Sequence, residues 1–159
     1  MQQEQDHWAR RTAPECAAAD AVSILQACAQ DLDAIERALP PSRRSAATRR
    51  ALASMRSLIC SGDGMRADLN CGSQQATFLA TATKAIEALE ECARGLDAIG
   101  RTTPPGRRGS VLQAAMDSLA RRLGVAGELR VDLAKADRRE PGGGADAGGE
   151  PESRPCPGR

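Results

Sequence analysis

The chain contains one segment twice, and that repetition limits the fold more than any other feature. Residues Cys28 to Arg44 align with Cys92 to Arg108 at a shift of 64 residues without a gap, and 11 of those 17 positions are identical. The alignment carries Pro40-Pro41 onto Pro104-Pro105 and Arg43-Arg44 onto Arg107-Arg108. Further along, identity fades but the pattern holds, with Leu52, Met55 and Ile59 falling on Met116, Leu119 and Leu123. A tandem duplication of this length predicts two equivalent structural units.

Each copy reads as two helices around a proline turn. In the first, Ala18, Ala21, Leu25, Cys28, Leu32, Ile35 and Leu39 recur at alternating spacings of three and four, a narrow helical seam. Its counterpart runs through Phe78, Ala82, Ala85, Leu89, Cys92, Leu96 and Ile99. The proline pairs must end the first helix of each hairpin, because proline lacks the N–H and clashes with the preceding turn. Thr12 and Pro14 suit the start of the first helix. Ser42 or Ser45 suits a cap for the helix through Ile59, and Ser110 a cap for the helix through Leu123. Ser61-Gly62-Asp63-Gly64 predicts a break between copies, and Gly124 and Gly127 weaken the last helix, which Leu129 and Leu133 could extend.

The resulting expectation is an all-α protein of two tandem helical hairpins, arranged as a four-helix bundle or a short helical-repeat rod. A flexible N-terminus spans 1–11, the first hairpin 12–60, a linker 61–75 and the second hairpin 76–134. The Gly/Pro-rich stretch 138–159 has no apolar period and is expected to be a disordered tail.

Aromatic residues make up 1% of the chain, with Trp8, Phe78 and no tyrosine. Alanine is the commonest apolar residue; it forms helices readily but buries little surface. Such composition points to close helix packing and to a fold completed by a partner or by self-association. With 22 basic and 21 acidic residues the net charge is +1, so no overall field draws the chain to nucleic acid. No window approaches the roughly 18 apolar residues that cross a bilayer. The N-terminus lacks a basic start and an apolar stretch, so a cytoplasmic, reducing setting is expected, with the six cysteines as thiols.

Chemistry has little footing. His7 is the single histidine, no two cysteines stand at metal-ligand spacing, and the glycines follow no strand. Glu87, Glu90 and Glu91 read as a solvated helix face, and Cys28 and Cys92 as packing residues, with a redox pair as the alternative. Cys60 and Cys71 flank the expected linker and could approach each other. No catalytic residue, cofactor or metal is assigned. The sharpest polar feature is the repeated arginine pair, Arg43-Arg44 and Arg107-Arg108. A basic pair just before a helix opposes its dipole, so either duplication alone preserved it or it contacts an anionic partner.

The stretch from Phe78 through Ile99, followed by Val111-Leu112-Gln113-Ala114-Ala115-Met116-Asp117-Ser118-Leu119, resembles the N-terminal region of the plant seventy-kilodalton exocyst subunit family. That family carries a helix reading Leu-x-x-Ala-Met-x-x-Leu-Glu-x-Glu-Phe. Ala115, Met116 and Leu119 match; Ala120 and Arg122 replace the acidic residues, and Leu123 the phenylalanine. The match covers residues 78–123 and does not include the family's C-terminal rod. It implies a rod of stacked hairpins acting in vesicle tethering, with exocyst subunits as partners and a peripheral place at the plasma membrane. From the residues themselves, the leading expectation is a helical protein–protein interaction module. Leu25, Leu32, Ile35, Leu89, Leu96 and Ile99 form the interaction seam, packing either internally or on a partner. The alternatives are a phosphate or nucleic-acid binder working through the arginine pairs, or a divergent duplicate without a role.

Overall fold

The computed structural model describes residues 13–71 and 74–138; the expected N-terminal segment 1–11 and nearly all of the tail lie outside them. Helix α1 spans Ala13–Ala38, α2 Ala46–Cys71, α3 Gln75–Thr102, α4 Ser110–Leu123 and α5 Ala126–Arg138. Short 3-10 turns at Pro41–Arg43 and Pro105–Arg107 follow the two proline stops. Among the described residues there is no strand, and the fold is an all-α bundle. None of these helices is long and apolar enough to cross a membrane.

Helices α1 and α3 lie against each other at the centre. Helix α2 packs on both from one side, and α4 and α5 pack on both from the other. Both proline turns contribute to one cleft, which places the C-terminal ends of α1 and α3 at the same end of the bundle. At 26 to 28 residues each, α1, α2 and α3 run roughly 40 Å along the bundle.

The duplication is legible in the core position by position. Ala18, Ala21, Val22, Leu25, Cys28, Leu32 and Ile35 of α1 are buried, and so are Ala82, Ala85, Ile86, Leu89, Cys92, Leu96 and Ile99 of α3. In the outer helices Leu52, Met55 and Ile59 are matched by Met116, Leu119 and Leu123, again all buried. Alanine and cysteine on the facing sides of α1 and α3 let the two backbones approach closely. Met55 exploits a similar opening, because at Gly95 a Cβ would stand only 2.8 Å from its Cγ and Sδ atoms.

The expected linker at 61–75 is a correction. Helix α2 continues unbroken to Cys71, so Ser61-Gly62-Asp63-Gly64 lies inside a helix. Two mid-helix glycines cost roughly 2 kcal/mol relative to alanine, and tertiary contacts outweigh that cost. Gly62 is buried against Leu25 and Gln26. The Gln26 amide donates to Asp63 at 2.9 Å, Arg66 donates to the Ser23 hydroxyl at 2.6 Å, and Met65 and Leu69 pack on the core. Because Cys60 and Cys71 share this helix 11 residues apart, they are roughly 16 Å apart along its axis and do not approach each other. Cys71 is disulfide-bonded, whereas Cys16, Cys28, Cys60 and Cys92 are free. The expectation of six thiols is corrected accordingly.

Polar contacts fix the outer helices on the inner pair. Asp31, largely buried on α1, accepts from the Ser118 hydroxyl at 2.9 Å and from Arg122 at 2.7 Å. Arg56 on α2 meets Asp33 and Glu36 of α1 at 2.6 Å each. The chain turns at Gly124–Val125 and resumes as α5, which buries Ala126 and Leu129 and pairs Arg130 with Glu90 at 2.7 Å.

The two glycine environments make opposite predictions for the same substitution. Gly64→Ala should stabilise the bundle by about 0.5–1 kcal/mol, since the new Cβ meets nothing within 4 Å. Gly95→Ala should destabilise it despite the same gain in helix propensity, because Met55 must move. Urea unfolding midpoints of the two variants should therefore shift in opposite directions.

Candidate anion-binding site

The two members of each arginine pair are placed differently. Arg44 folds back onto the end of α1, where its Nε donates to the Leu39 carbonyl at 2.7 Å and its Nη2 to the Glu36 carbonyl at 2.8 Å. Arg108 does the same at the end of α3, donating to the carbonyls of Thr103 at 2.7 Å and Gly100 at 2.8 Å. A proline stop leaves the last carbonyls of a helix without amide partners, and a cation there is favoured by the dipole. The expected conflict with the following helix disappears, since each guanidinium serves the preceding one. Arg44 and Arg108 are therefore structural caps, and their assignment as anion contacts is corrected.

Arg43 and Arg107 remain exposed on the 3-10 turns, and both line a cleft of about 810 Å³ at this end. Arg37, Thr102, Thr103 and the first residues of α4 complete much of its wall, and among the described residues no carboxylate lines it. Nor, among the described residues, does the lining contain a histidine, cysteine or lysine. The cleft can bind an anion but offers no general base.

The cleft lies within a wider basic end. The stretches 37–55 and 98–116 hold eight arginines and neither aspartate nor glutamate. Apart from the two caps these are Arg37, Arg43, Arg49, Arg50, Arg101 and Arg107, all exposed. None of the six meets a carboxylate within 4.0 Å among the described residues. Elsewhere on the bundle Arg56, Arg94, Arg122 and Arg130 each pair with an acid. Net charge close to zero concealed this segregation; counting acids along the repeat would have exposed it.

The two copies differ at the helix that follows each turn. In the first, the Ser45 hydroxyl accepts the Thr48 amide at 3.1 Å, and the buried Thr48 hydroxyl is bonded to Thr102 at 2.7 Å. In the second, Gly109 and Leu112 occupy the corresponding positions, and α4 begins with no side-chain cap. Ser110, expected as the cap, is the first helical residue instead. The residues from Gly109 to Leu112 line the cleft, so the uncapped start of α4 opens onto it.

The six seam residues Leu25, Leu32, Ile35, Leu89, Leu96 and Ile99 are all buried in the bundle's own core. The seams pack internally, and none of these residues is available to a foreign helix in the folded chain. Large exposed apolar side chains among the described residues are limited to Val111 and Val131. Glu90 and Glu91 are engaged by Arg130 and Arg94.

Cys28 and Cys92, the candidate redox pair, are buried thiols. Burial pushes the Cys28 thiol up to about 12, with the neighbouring Cys92 adding to the rise, and pushes Cys92 up to about 11. Both are therefore protonated and unreactive at neutral pH. No protein-family model, curated protein or solved structure matches the chain.

Two predictions follow from this chemistry. Removing a cap strands partly buried carbonyls, so Arg44→Ala and Arg108→Ala should each cost about 1–3 kcal/mol. Lysine should restore only part of that, since it lacks the planar fork that spans two carbonyls, while Arg43→Ala and Arg107→Ala should leave urea midpoints nearly unchanged. The thiols predict a pH dependence: with folded values raised above the ordinary 9.0, their contribution is complete below pH 9. It falls as pH rises from 9 to about 12, because the unfolded chain releases its protons first. Unfolding midpoints should decline over that range, and Cys28→Ala/Cys92→Ala should flatten the decline.

Proposed function

We propose that the chain is a helical interaction module that holds an acidic segment of another protein through its arginine-rich proline-turn end. One observation carries this reading: six exposed arginines share one end, in stretches without an acidic residue, and none of them meets a carboxylate among the described residues, whereas Arg56, Arg94, Arg122 and Arg130 elsewhere are paired. Like charges gathered at one end repel one another, and a complementary acidic surface relieves that repulsion while speeding encounter. Arginine suits the task because its planar fork matches a carboxylate.

An apolar docking mode has less behind it, since the seams are used internally and only two large apolar side chains stand exposed. Single-stranded nucleic acid is recognised largely by stacking on aromatic rings, and Phe78 is buried on α3, in a cluster with Ala18 and Ala82. The residues that carry the exocyst resemblance, Ala115, Met116, Leu119 and Leu123, are buried as well. What they share with that family is a helical packing pattern, and a role in vesicle tethering would have to act through the same basic end.

The test is fluorescence anisotropy with a labelled oligoglutamate peptide. The wild-type chain should bind it, and binding should weaken steeply with salt. Arg43→Glu/Arg107→Glu should weaken it by about tenfold or more, at about 1.4 kcal/mol per factor of ten, with circular dichroism unchanged. Equal binding by wild type and double variant would overturn the reading.

A further inference from the structure

We propose that the acidic segment bound by this end is phosphorylated, and that a phosphoserine or phosphothreonine seats its phosphate in the cleft between Arg43, Arg107 and the uncapped start of α4. This rests on the basic end being the working surface and goes on to name what its cleft selects.

Four features converge on a phosphate. Arg43 and Arg107 bring two guanidiniums without carboxylate partners to one cleft, a combination suited to several charge-assisted hydrogen bonds. The first amides of α4 are left without a side-chain cap and open onto the same space, where an anion is stabilised by both the free N–H groups and the helix dipole. Thr103, 8% exposed and in the cleft wall, has no hydrogen-bond partner for its hydroxyl among the described residues. A buried hydroxyl without a partner is costly, and a phosphate oxygen would satisfy it. Finally, a phosphate carries three acceptor oxygens and close to two negative charges, roughly twice the charge of a glutamate side chain.

Comparison of the two turns shows that the opening is local. In the first copy Ser45 and Thr48 occupy the corresponding place, and the Ser45 hydroxyl accepts the Thr48 amide of the first turn of α2. Their replacement by Gly109 and Leu112 leaves α4 open onto the cleft that Arg43 and Arg107 line. Val111, 66% exposed, lines the same cleft beside Leu39 and Leu112. An apolar side chain next to the phosphorylated residue would cover it. The flanking Arg49, Arg50 and Arg101 extend the basic surface beyond the cleft, which suits an extended acidic chain better than a single small anion.

Isothermal titration of the full chain with the peptide Glu-Glu-Val-phosphoserine-Val-Glu-Glu tests the inference, against the same peptide with serine or glutamate at the centre. The phosphorylated peptide should bind about tenfold tighter than either control. That advantage should be lost in Arg43→Ala, in Arg107→Ala and in Gly109→Ser, which restores the cap of the first copy and should not lower thermal stability. Arg49→Ala should weaken all three peptides together. Equal affinity for the phosphorylated and glutamate peptides would overturn this inference while leaving the acidic-segment reading intact. Binding of none of the peptides would overturn both. Tighter binding to phosphoinositide-containing vesicles than to the phosphopeptide would also overturn it, in favour of a membrane.

Discussion

The arrangement depends on how closely α1 and α3 can approach. A chain with almost no aromatic side chains cannot assemble its core from a few large anchors, so it must gain burial from many small contacts at short range. Alanine and cysteine on the inner faces of both helices permit that approach, and branched residues one turn away fill the space on either side. With the inner pair set, each outer helix has two surfaces to lie against, and α2 and the α4–α5 pair take opposite sides. A bundle with its two inner helices in direct contact is the natural outcome of a duplicated hairpin. Each copy contributes one inner helix and an outer layer, α2 in the first and α4 with α5 in the second, and each outer layer covers both inner helices.

Much of that was readable from spacing alone. The seam through Leu25, Leu32 and Ile35 and its repeat through Leu89, Leu96 and Ile99 identify the inner helices, because a three-four period has few other uses. The proline pairs mark where those helices stop. The continuation of α2 beyond Ile59 was not readable, since Gly62 and Gly64 lower local helix propensity and only contact with Leu25, Gln26 and Ser23 reverses the balance. The repeat held a clue here as well. Gly62, Met65 and Leu69 stand 64 residues before Ala126, Leu129 and Leu133, so the core pattern of the outer helices continues past the glycines.

The residues of the candidate site were only half legible for a related reason. Sequence adjacency made Arg43-Arg44 and Arg107-Arg108 look like units, yet the backbone turns between the two members of each pair. One guanidinium reaches back to carbonyls eight residues earlier, and the other is left facing solvent. Conversely, the arginines that belong together, Arg37, Arg43 and Arg107, are spread over both copies and meet only because the two turns share an end.

Divergence between the copies then explains why one turn is closed and the other open. Asp31 corresponds to Gly95, and the partners of Asp31 in the opposite helix, Ser118 and Arg122, correspond to Ser54 and Leu58. Asp31 meets the second copy through polar, paired contacts, whereas the matching position against the first copy is apolar, with Met55 seated over Gly95. A second α1–α2 hairpin substituted for the α3–α5 half would set the Asp31 carboxylate beside a leucine, a burial without a cationic partner that costs several kcal/mol. The two halves are thus specified for each other and not for copies of themselves. The same loss of equivalence frees the turns to differ: Ser45 and Thr48 spend their hydroxyls on packing, whereas Gly109 leaves the first amides of α4 available. A symmetric bundle would have capped both ends alike, so the open cleft depends on the same asymmetry that fixes which half pairs with which.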